Sequence, residues 1–251
     1  MRAILQTRLP YDIDARRPLP GIAPLDPADW LLVDEAFAAQ MAERARLLHA
    51  RRDDVLAVTE GAGPAMDELL DVVLAWLAAH GTGYDVGPGE VRRPDRVTVP
   101  IDRADPMGTL GHLVQEDLCL MEKRGAAHVL TAAVLCFPAS WRLADKIGRP
   151  LDAIHAPVPE YDSALARRVD RLFDGVQPGR PLWRFNALRY ADPTLHQPRS
   201  RVAPSETADL PYQRSERQCV LRLPETRACV FSIHTYVTER FIDAARAVGR
   251  G

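Results

Sequence analysis

The sequence predicts an α+β fold in which an antiparallel sheet is flanked by helices. Apolar residues recur at helical spacing in the first half of the 251-residue chain, for example from Met66 to Leu77. The second half instead holds β-rich apolar runs, and two of these, 218–223 and 228–237, flank the short turn Pro224-Glu225-Thr226-Arg227. Helices followed by hairpin-linked strands favour an α+β fold over a regular βαβ alternation.

The first half of the chain predicts three helices. Residues 1–25 lack any periodicity and predict an extended entry segment. Asp26-Pro27 supplies an N-cap followed by a proline at the first helical position, so a helix is expected over 26–51. The other expected segments are helices over 64–81 and 106–124, a glycine- and proline-rich connector over 81–96 and a short strand over 96–101.

The second half predicts strands with helices between them. A loop that contains four prolines spans 192–212, and loops of this length are usually functional or disordered. The other expected elements are a β-rich run over 128–137, an amphipathic helix over 162–173, a strand over 183–190, the two hairpin strands and a last helix over about 239–248.

Composition and charge exclude several classes of protein. The 32 basic and 34 acidic residues nearly cancel, which argues against nucleic-acid binding driven by bulk charge. The longest apolar run, 129–138, is shorter than the roughly 20 residues that span a bilayer. The first residues carry no apolar signal segment, so a cytoplasmic protein is expected. The four cysteines form no C-x-x-C pair, so buried reduced thiols are expected in place of a zinc or iron–sulfur site.

One histidine stands out among the seven because of its surroundings. His155 lies between Ile154 and Ala156, just before the stiff sequence Pro157-Val158-Pro159. A single histidine on a stiff, apolar-flanked segment suits an axial haem ligand. From the residues alone, however, a core histidine bound to a backbone carbonyl is the favoured interpretation, since most lone histidines are not ligands.

Four motifs in order resemble the haem-dependent oxidative N-demethylase alpha-subunit family. The first lies on a predicted helix, where a structural role is expected for Glu116. Together the motifs span about residues 105–240, and they are more specific together than any one alone. They are Gln115-Glu116-Asp117-Leu118, Cys136-Phe137-Pro138-Ala139-Ser140-Trp141 running to Lys146-Ile147-Gly148, Ile154-His155-Ala156-Pro157-Val158-Pro159, and Arg214-Ser215-Glu216-Arg217-Gln218 with Leu221-Arg222-Leu223-Pro224.

The resemblance implies a PAS-like fold that binds haem b. It also implies an O₂-dependent oxidation of a methylamine-type substrate to formaldehyde and a demethylated amine. It further implies that electrons come from separate flavin and iron–sulfur reductase subunits. The sequence itself has no cysteine cluster and no dinucleotide-binding motif, so a reductase partner is expected for the enzyme. The expected organisation is an N-terminal helical extension and connector over 1–100 and a haem-binding core over 101–251, packed as one unit.

The resemblance also assigns roles to histidines. His155 becomes the preferred iron ligand, and His196, in the 192–212 loop, is the second choice, with an exposed loop imidazole as its alternative. Structural roles are expected for His112 and His128. His234 alternates along a predicted strand with Ser232 and Tyr236, a face that lines either a pocket or solvent.

Charged residues complete the expected site. Arg214 or Arg217 would bind a haem propionate or stabilise bound O₂, and Glu216 would hold a substrate ammonium or relay protons. The alternative is an arginine–glutamate pair at a sheet edge. Arg184 opens a sequence similar to the family motif R-x-N-W, and is expected to bind the cofactor, but Ala187 replaces the usual tryptophan. If that tryptophan packs on haem, its loss enlarges the pocket and puts the amine substrate in doubt.

Two other functions fit the same residues. PAS-like domains often sense ligands, so a non-catalytic haem-binding sensor or carrier is the first alternative. The second is a relative that keeps the fold but binds a different small ligand without haem. Haem absorbance separates the haem-free relative from the enzyme and from the haem-binding sensor or carrier. Amine-dependent O₂ consumption then separates the enzyme from the sensor or carrier.

Overall fold

The computed structural model describes residues 3–15, 21–155 and 163–240, and these confirm an α+β fold. The helices are α1 (Phe37–Ala50), α2 (Arg52–Val55), α3 (Gly63–His80), α4 (Pro106–Leu113), α5 (Leu151–His155) and α6 (Ser163–Gly175). The strands are β1 (Ala23–Pro24), β2 (Leu56–Val58), β3 (Asp85–Val86), β4 (Glu90–Arg92), β5 (Thr98–Pro100), β6 (Asp117–Arg124), β7 (Ala127–Val134), β8 (Leu182–Tyr190), β9 (Tyr212–Arg222) and β10 (Cys229–Glu239).

Seven of these strands form one antiparallel sheet in the order β1-β8-β9-β10-β6-β7-β2. β9 and β10 pair along their whole length as a hairpin, from Arg222 opposite Cys229 to Tyr212 opposite Glu239. β1 and β2 come from the first 100 residues and lie at the two edges of the sheet. The described N-terminal residues therefore contribute to the same sheet as the rest of the chain. The PAS-like character and the division at residue 100 stay predictions.

The two faces of this sheet have different coverings. On one side, α5 and α6 pack through Leu151, Ile154 and Phe173 against sheet residues such as Val220 and Ile233. On the other side, α1, α3 and α4 pack against sheet residues that include Leu118, Leu120, Cys219 and Val230. We call these the α5 face and the α4 face. Since successive strand residues point to opposite faces, the two faces carry different side chains of the same strands.

The prediction of a helix over 26–51 is wrong for the first part of this range. Asp26 does cap a helical turn, but the turn is a 3₁₀ helix of three residues, Pro27–Asp29, and α1 begins only at Phe37. Between them, the backbone amides of Leu32 and Asp34 donate to side chains of Glu116 and Gln115. These tertiary hydrogen bonds favour an irregular backbone over a helix that the local spacing alone would allow.

The helix expected over 106–124 is also wrong beyond Leu113. Asp105 caps α4 through the amide of Gly108, and α4 ends at Leu113, where the chain enters β6. Within β6, Leu118 and Leu120 pair with β7 and contribute to the core. The motif 115–117 thus lies at a helix-to-strand junction, and all three of its side chains are buried.

The other predicted helices and strands agree more closely with the structure. The helices over 64–81 and 162–173 correspond to α3 and α6, and the strand over 96–101 to β5. The stretch 81–96 is more than a connector, because β3 and β4 form a small sheet with β5. No helix or strand interrupts 192–211. The last expected helix falls mainly on 241–251, outside the described residues. In the described ranges, no helix combines the length and the apolar character needed to cross a membrane.

Candidate functional site

The α5 face brings together three of the charged residues that the sequence singled out. The register of β8 with β9 places Arg184 opposite Gln218, Asn186 opposite Glu216 and Leu188 opposite Arg214. These residues alternate along their strands, so Arg184, Glu216 and Arg214 share one face. It is the same face that α5 covers.

Glu216 is a buried carboxylate held by neutral amides. Its side chain is 5% exposed. The side-chain amides of Asn186 and Gln218 both donate to its Oε2, each at 3.0 Å. The backbone amide of Glu216 in turn donates to Asn186 Oδ1 at 3.0 Å. No lysine or arginine among the described residues forms an ion pair with this carboxylate. The hydrogen bonds to the Glu216 carboxylate in the described structure thus come from neutral amides.

Two cations lie near Glu216 without pairing with it. Arg184 is half-buried, and no described residue forms a hydrogen bond with its Nε. Burial lowers the pKa of Arg184, and the charge of Glu216 opposes this shift. Lys146 is also half-buried, and its ammonium lies 4.2 Å from the ring centre of Trp141. Burial lowers the pKa of Lys146 too, and the charge of Glu216 opposes this shift. Among the described residues, these three charged side chains of the α5 face form no ion pair with one another or with any other group.

Arg214 is occupied by backbone carbonyls. Its Nη1 donates to Leu195 O at 2.9 Å and its Nη2 to Phe137 O at 2.7 Å. The guanidinium also lies 5.7 Å from the ring centre of Tyr190, and its Nε has no hydrogen-bond partner within the described ranges. Arg214 therefore attaches the 192–211 loop to the segment after β7. Its expected role with haem stays a prediction.

Arg217 points away from Glu216, to the α4 face. It donates to Trp30 O at 3.0 Å and to Asp29 O at 2.5 Å, and lies 5.6 Å from the ring centre of Trp183. These contacts attach the 27–30 turn to the sheet. A catalytic role beside Glu216 stays untested, and the two side chains lie on opposite sides of the sheet.

His196 has the hydrogen-bonding pattern of a metal ligand. Its Nδ1 lies 2.8 Å from Cys136 O, so this nitrogen carries the proton and donates. Its Nε2 is buried and has no hydrogen-bond partner among the residues that the structure describes. A carbonyl behind one ring nitrogen is the usual support for a histidine that binds metal through the other. The adjoining cavity is lined by Arg51, Pro138 and Leu143, and its volume of about 50 Å³ is too small for a tetrapyrrole.

His155 is the last residue of α5, and its side chain lies outside the described part of the structure. The two apolar residues of this helix, Leu151 and Ile154, are buried in the core of the α5 face. The helix that ends at His155 therefore packs on the face that carries Arg184 and Glu216. Pro157, Val158 and Pro159 lie outside the described residues.

A buried histidine that sequence reasoning left unassigned lies on the α4 face. His234 is completely buried, with Nδ1 2.9 Å from Glu116 Oε1 and Nε2 3.1 Å from Asp34 Oδ2. Burial alone would lower the pKa of His234, but the two carboxylates outweigh it and raise the pKa to about 9. The pKa of Asp34 falls to about 2, because hydrogen bonds from His234, Gln115 and Gln6 overcome the effect of burial.

This cluster joins distant parts of the chain. His234 is separated by 118 residues from Glu116 and by 200 from Asp34, so no spacing motif could have revealed it. Gln115 extends the network, because its amide donates to Asp34 and to Gln40. The structural role expected for Glu116 agrees with these contacts, although the residue lies at a strand junction and not on a helix.

Ala187 lies on the α4 face, where the register pairs it with Ser215. Its side chain therefore points away from the face that carries Arg184 and Glu216. The hydroxyl groups of Ser215 and Tyr11 form a hydrogen bond, and the Tyr11 ring stacks on Phe185. Ala187 thus lies on the same face of β8 as Phe185, on which Tyr11 of the N-terminal segment stacks, and it does not enlarge a pocket on the α5 face.

Comparison with family models finds a match for most of the chain. The model described as haem-dependent oxidative N-demethylase, alpha subunit-like, matches residues 21–241. The chain belongs to this family. The family name points to a haem-dependent enzyme, and "alpha subunit" implies an assembly of several subunits. The match includes β1 and both faces of the sheet, so it extends well beyond the four motifs that first indicated the family.

The residues on the α5 face of this N-demethylase-like chain fit a haem. A haem needs one imidazole, an apolar surface and cations for its propionates. His155 ends the covering helix, the apolar core of the α5 face adjoins it, and the buried Nε of Arg184 lacks a partner. No group of three or more histidine, cysteine or acidic residues that could hold a bare metal ion occurs in the described ranges.

Proposed function

We propose that the chain is the haem-binding subunit of an oxidative N-demethylase. In this reaction the methyl group of an amine is oxidised by O₂. One oxygen atom leaves in formaldehyde and the other in water, with two electrons and two protons consumed for each demethylated amine. The observation that carries the proposal is the family match over residues 21–241. Electrons come from a separate flavin and iron–sulfur reductase.

The cofactor is haem b, which supplies the activation of O₂ when bound. We place it on the α5 face, with His155 as iron ligand and Arg184 at a propionate. His196 is the second choice of iron ligand. The Nε2 of His196, which has no partner in the described structure, favours this assignment, but the adjoining cavity is too small to hold a haem. Glu216 binds the substrate ammonium, because its carboxylate is buried, held in place by two amides and free of any cation in the described structure.

Turnover tests the enzymatic part of this proposal. Protein loaded with haemin and supplied with a ferredoxin, its reductase and NADPH should consume O₂ and release formaldehyde when dimethylamine is added. Glu216→Gln should lower kcat/KM for the amine by ten- to a hundredfold, since a buried charge pair to the substrate is lost. A stable haem spectrum with no amine-dependent O₂ consumption would instead favour the sensor or carrier.

A further inference from the structure

We propose that the hydroxyl group of Thr235 is the second contact of the amine site, beside the carboxylate of Glu216. In this arrangement Glu216 accepts one N–H of a substrate ammonium and Thr235 Oγ1 accepts another. The inference deepens the proposed function, on which it rests for the nature of the ligand. It assigns Thr235 as the residue that distinguishes amines by their number of N–H groups.

Thr235 is a polar residue in an apolar row on the α5 face of β10. Since every second residue of a strand points to the same side, Thr235 shares this face with Ile233 and Val237, which are both buried. Thr235 itself is only 1% exposed. A hydroxyl buried in such a row normally has a hydrogen-bond partner, because its removal from water is otherwise unfavourable.

The Thr235 hydroxyl lacks such a partner. None of the described residues forms a hydrogen bond with Thr235 Oγ1, although this atom is buried. The backbone at this position is fixed, because the side-chain amides of Gln6 and Gln40 donate to Thr235 O at 3.2 Å and 3.0 Å. Thr235 is therefore held in place, while its hydroxyl makes no hydrogen bond to the described part of the protein.

Strand register places Thr235 directly beside Glu216. The two residues are partners in the pairing of β9 with β10, so their side chains lie on one face with Cβ atoms about 5 Å apart. The side-chain amides of Asn186 and Gln218 both donate to Glu216 Oε2, and no described residue donates to Oε1. A carboxylate oxygen and a hydroxyl oxygen on neighbouring residues are thus both left to accept hydrogen bonds.

These two acceptors suit an ammonium that carries two N–H groups. A carboxylate accepts strongly from a charged N–H, and a hydroxyl oxygen accepts a second one. A dimethylammonium ion has two N–H groups and uses both acceptors, whereas a trimethylammonium ion has one. Because a carboxylate attracts both cations by charge, Thr235 adds a selectivity that Glu216 alone does not provide.

Isothermal titration calorimetry with dimethylamine and trimethylamine tests this contact on the purified protein, with and without added haemin. Wild type should bind dimethylammonium about tenfold tighter, since it makes one more hydrogen bond to a charged group. Thr235→Val has nearly the same shape and should weaken dimethylammonium binding about tenfold, with trimethylammonium unchanged. Thr235→Ser keeps the hydroxyl and should keep the preference, as should Thr238→Val on the opposite face of β10.

Thermal unfolding gives a readout that needs no amine. Thr109 is a buried control whose Oγ1 donates to Asp102 O and accepts the backbone amide of Asp102, both at 3.1 Å. Thr109→Val should lower Tm by about 3 °C, whereas Thr235→Val should leave Tm unchanged or raise it, because its hydroxyl has no hydrogen bond to lose. Equal decreases in both variants would show that the Thr235 hydroxyl serves the fold, and would overturn the contact.

The calorimetric outcomes separate this inference from the proposed function. A preference for dimethylammonium that is lost in Thr235→Val and kept in Thr235→Ser supports the contact. The contact is overturned if wild type shows no preference or binds neither amine, or if Thr235→Val affects both amines equally. If Glu216→Gln binds both amines as wild type does, the contact and the role proposed for Glu216 fail together. Intact selectivity without haem uptake contradicts the haem function alone.

Discussion

At the scale of single residues, His234 has the most unusual surroundings. It is completely buried between Glu116 and Asp34, and these carboxylates raise its pKa to about 9. The imidazolium therefore persists at neutral pH and joins β10, the start of β6 and the segment before α1. Because its folded pKa is above the ordinary value of 6.5, His234 contributes stability that is fully present below pH 6.5 and lost as pH rises through 9.

This predicts a specific pH dependence of stability. The free energy of unfolding should favour wild type over His234→Gln most at pH 4–6.5, and the difference should shrink by about 3 kcal/mol by pH 10. Below this window the contribution of Asp34 is lost as pH falls toward its pKa of about 2. Urea unfolding at several pH values measures the difference, with exposed His49→Gln as the control. An equal difference at pH 6 and pH 10 would contradict the assignment.

A second residue-scale prediction concerns the buried pair of Arg44 and Asp117. Their side chains are 0% and 1% exposed, with Nη1 and Oδ1 2.6 Å apart, and Asp117 also accepts the backbone amides of Cys136 and Phe137. Asp117→Asn should lower the free energy of unfolding by about 3–5 kcal/mol, because it leaves Arg44 buried and uncompensated.

Urea unfolding checks this expectation against a matched exposed pair. Arg103 and Asp71 lie 2.7 Å apart, but their side chains are 59% and 58% exposed. Asp71→Asn should therefore leave stability almost unchanged, since water already solvates both charges. If Asp117→Asn and Asp71→Asn lower the free energy of unfolding equally, burial is not the reason that the pair of Arg44 and Asp117 stabilises the fold.

The sequence indicated which residues are important more reliably than it indicated the residues that they contact. A strand was expected over 218–223, but β9 begins at Tyr212, so Glu216 and Arg217 also alternate along it and face opposite sides. Which side each faces, and the carbonyls that occupy Arg217, depend on the packing of the N-terminal segment. The partners of His234 come from two remote segments, which a single sequence cannot bring together.

At the scale of elements, local patterns failed where tertiary hydrogen bonds compete with them. The apolar residues between Leu113 and Met121 fit a helix by spacing, yet Leu118 and Leu120 alternate and pair with β7. The change occurs at the buried junction 115–117, where side chains bind Arg44 and the segment before α1. By contrast, α3 and α6 were predictable because their apolar residues repeat over several turns.

The long loop between β8 and β9 gives a prediction at this scale. Arg214 donates to Leu195 O and Phe137 O, so Arg214→Gln should lower the free energy of unfolding by about 2–4 kcal/mol. It should also speed tryptic cleavage after the exposed residues Arg199 and Arg201, because the loop loses its attachment.

Limited proteolysis with mass spectrometry measures this cleavage. The exposed Arg92→Gln on the small sheet is the control, and should be cut at the wild-type rate. Unchanged cleavage in Arg214→Gln would mean that contacts other than Arg214 hold the loop in place.

At the scale of the whole molecule, the sheet separates two kinds of polar group. The α4 face uses its charged residues to hold the described N-terminal segments, through His234, Arg217 and the pair of Arg44 with Asp117. On the α5 face, beside the core packed by α5 and α6, Glu216, Arg184 and Lys146 form no ion pair within the described part of the chain. The fold class and family were predictable from the sequence, but this division was not, because it depends on strand register.

Binding of haem by this chain is the central claim, and an absorbance titration tests it most directly. Adding haemin to the purified protein should give a saturable Soret band with a stoichiometry of one haem per chain. His155→Ala should change its position or intensity, while His49→Ala should not. If wild type takes up no haem under these conditions, the claim is contradicted. An unchanged band in His155→Ala with a changed band in His196→Ala would transfer the ligand assignment to His196.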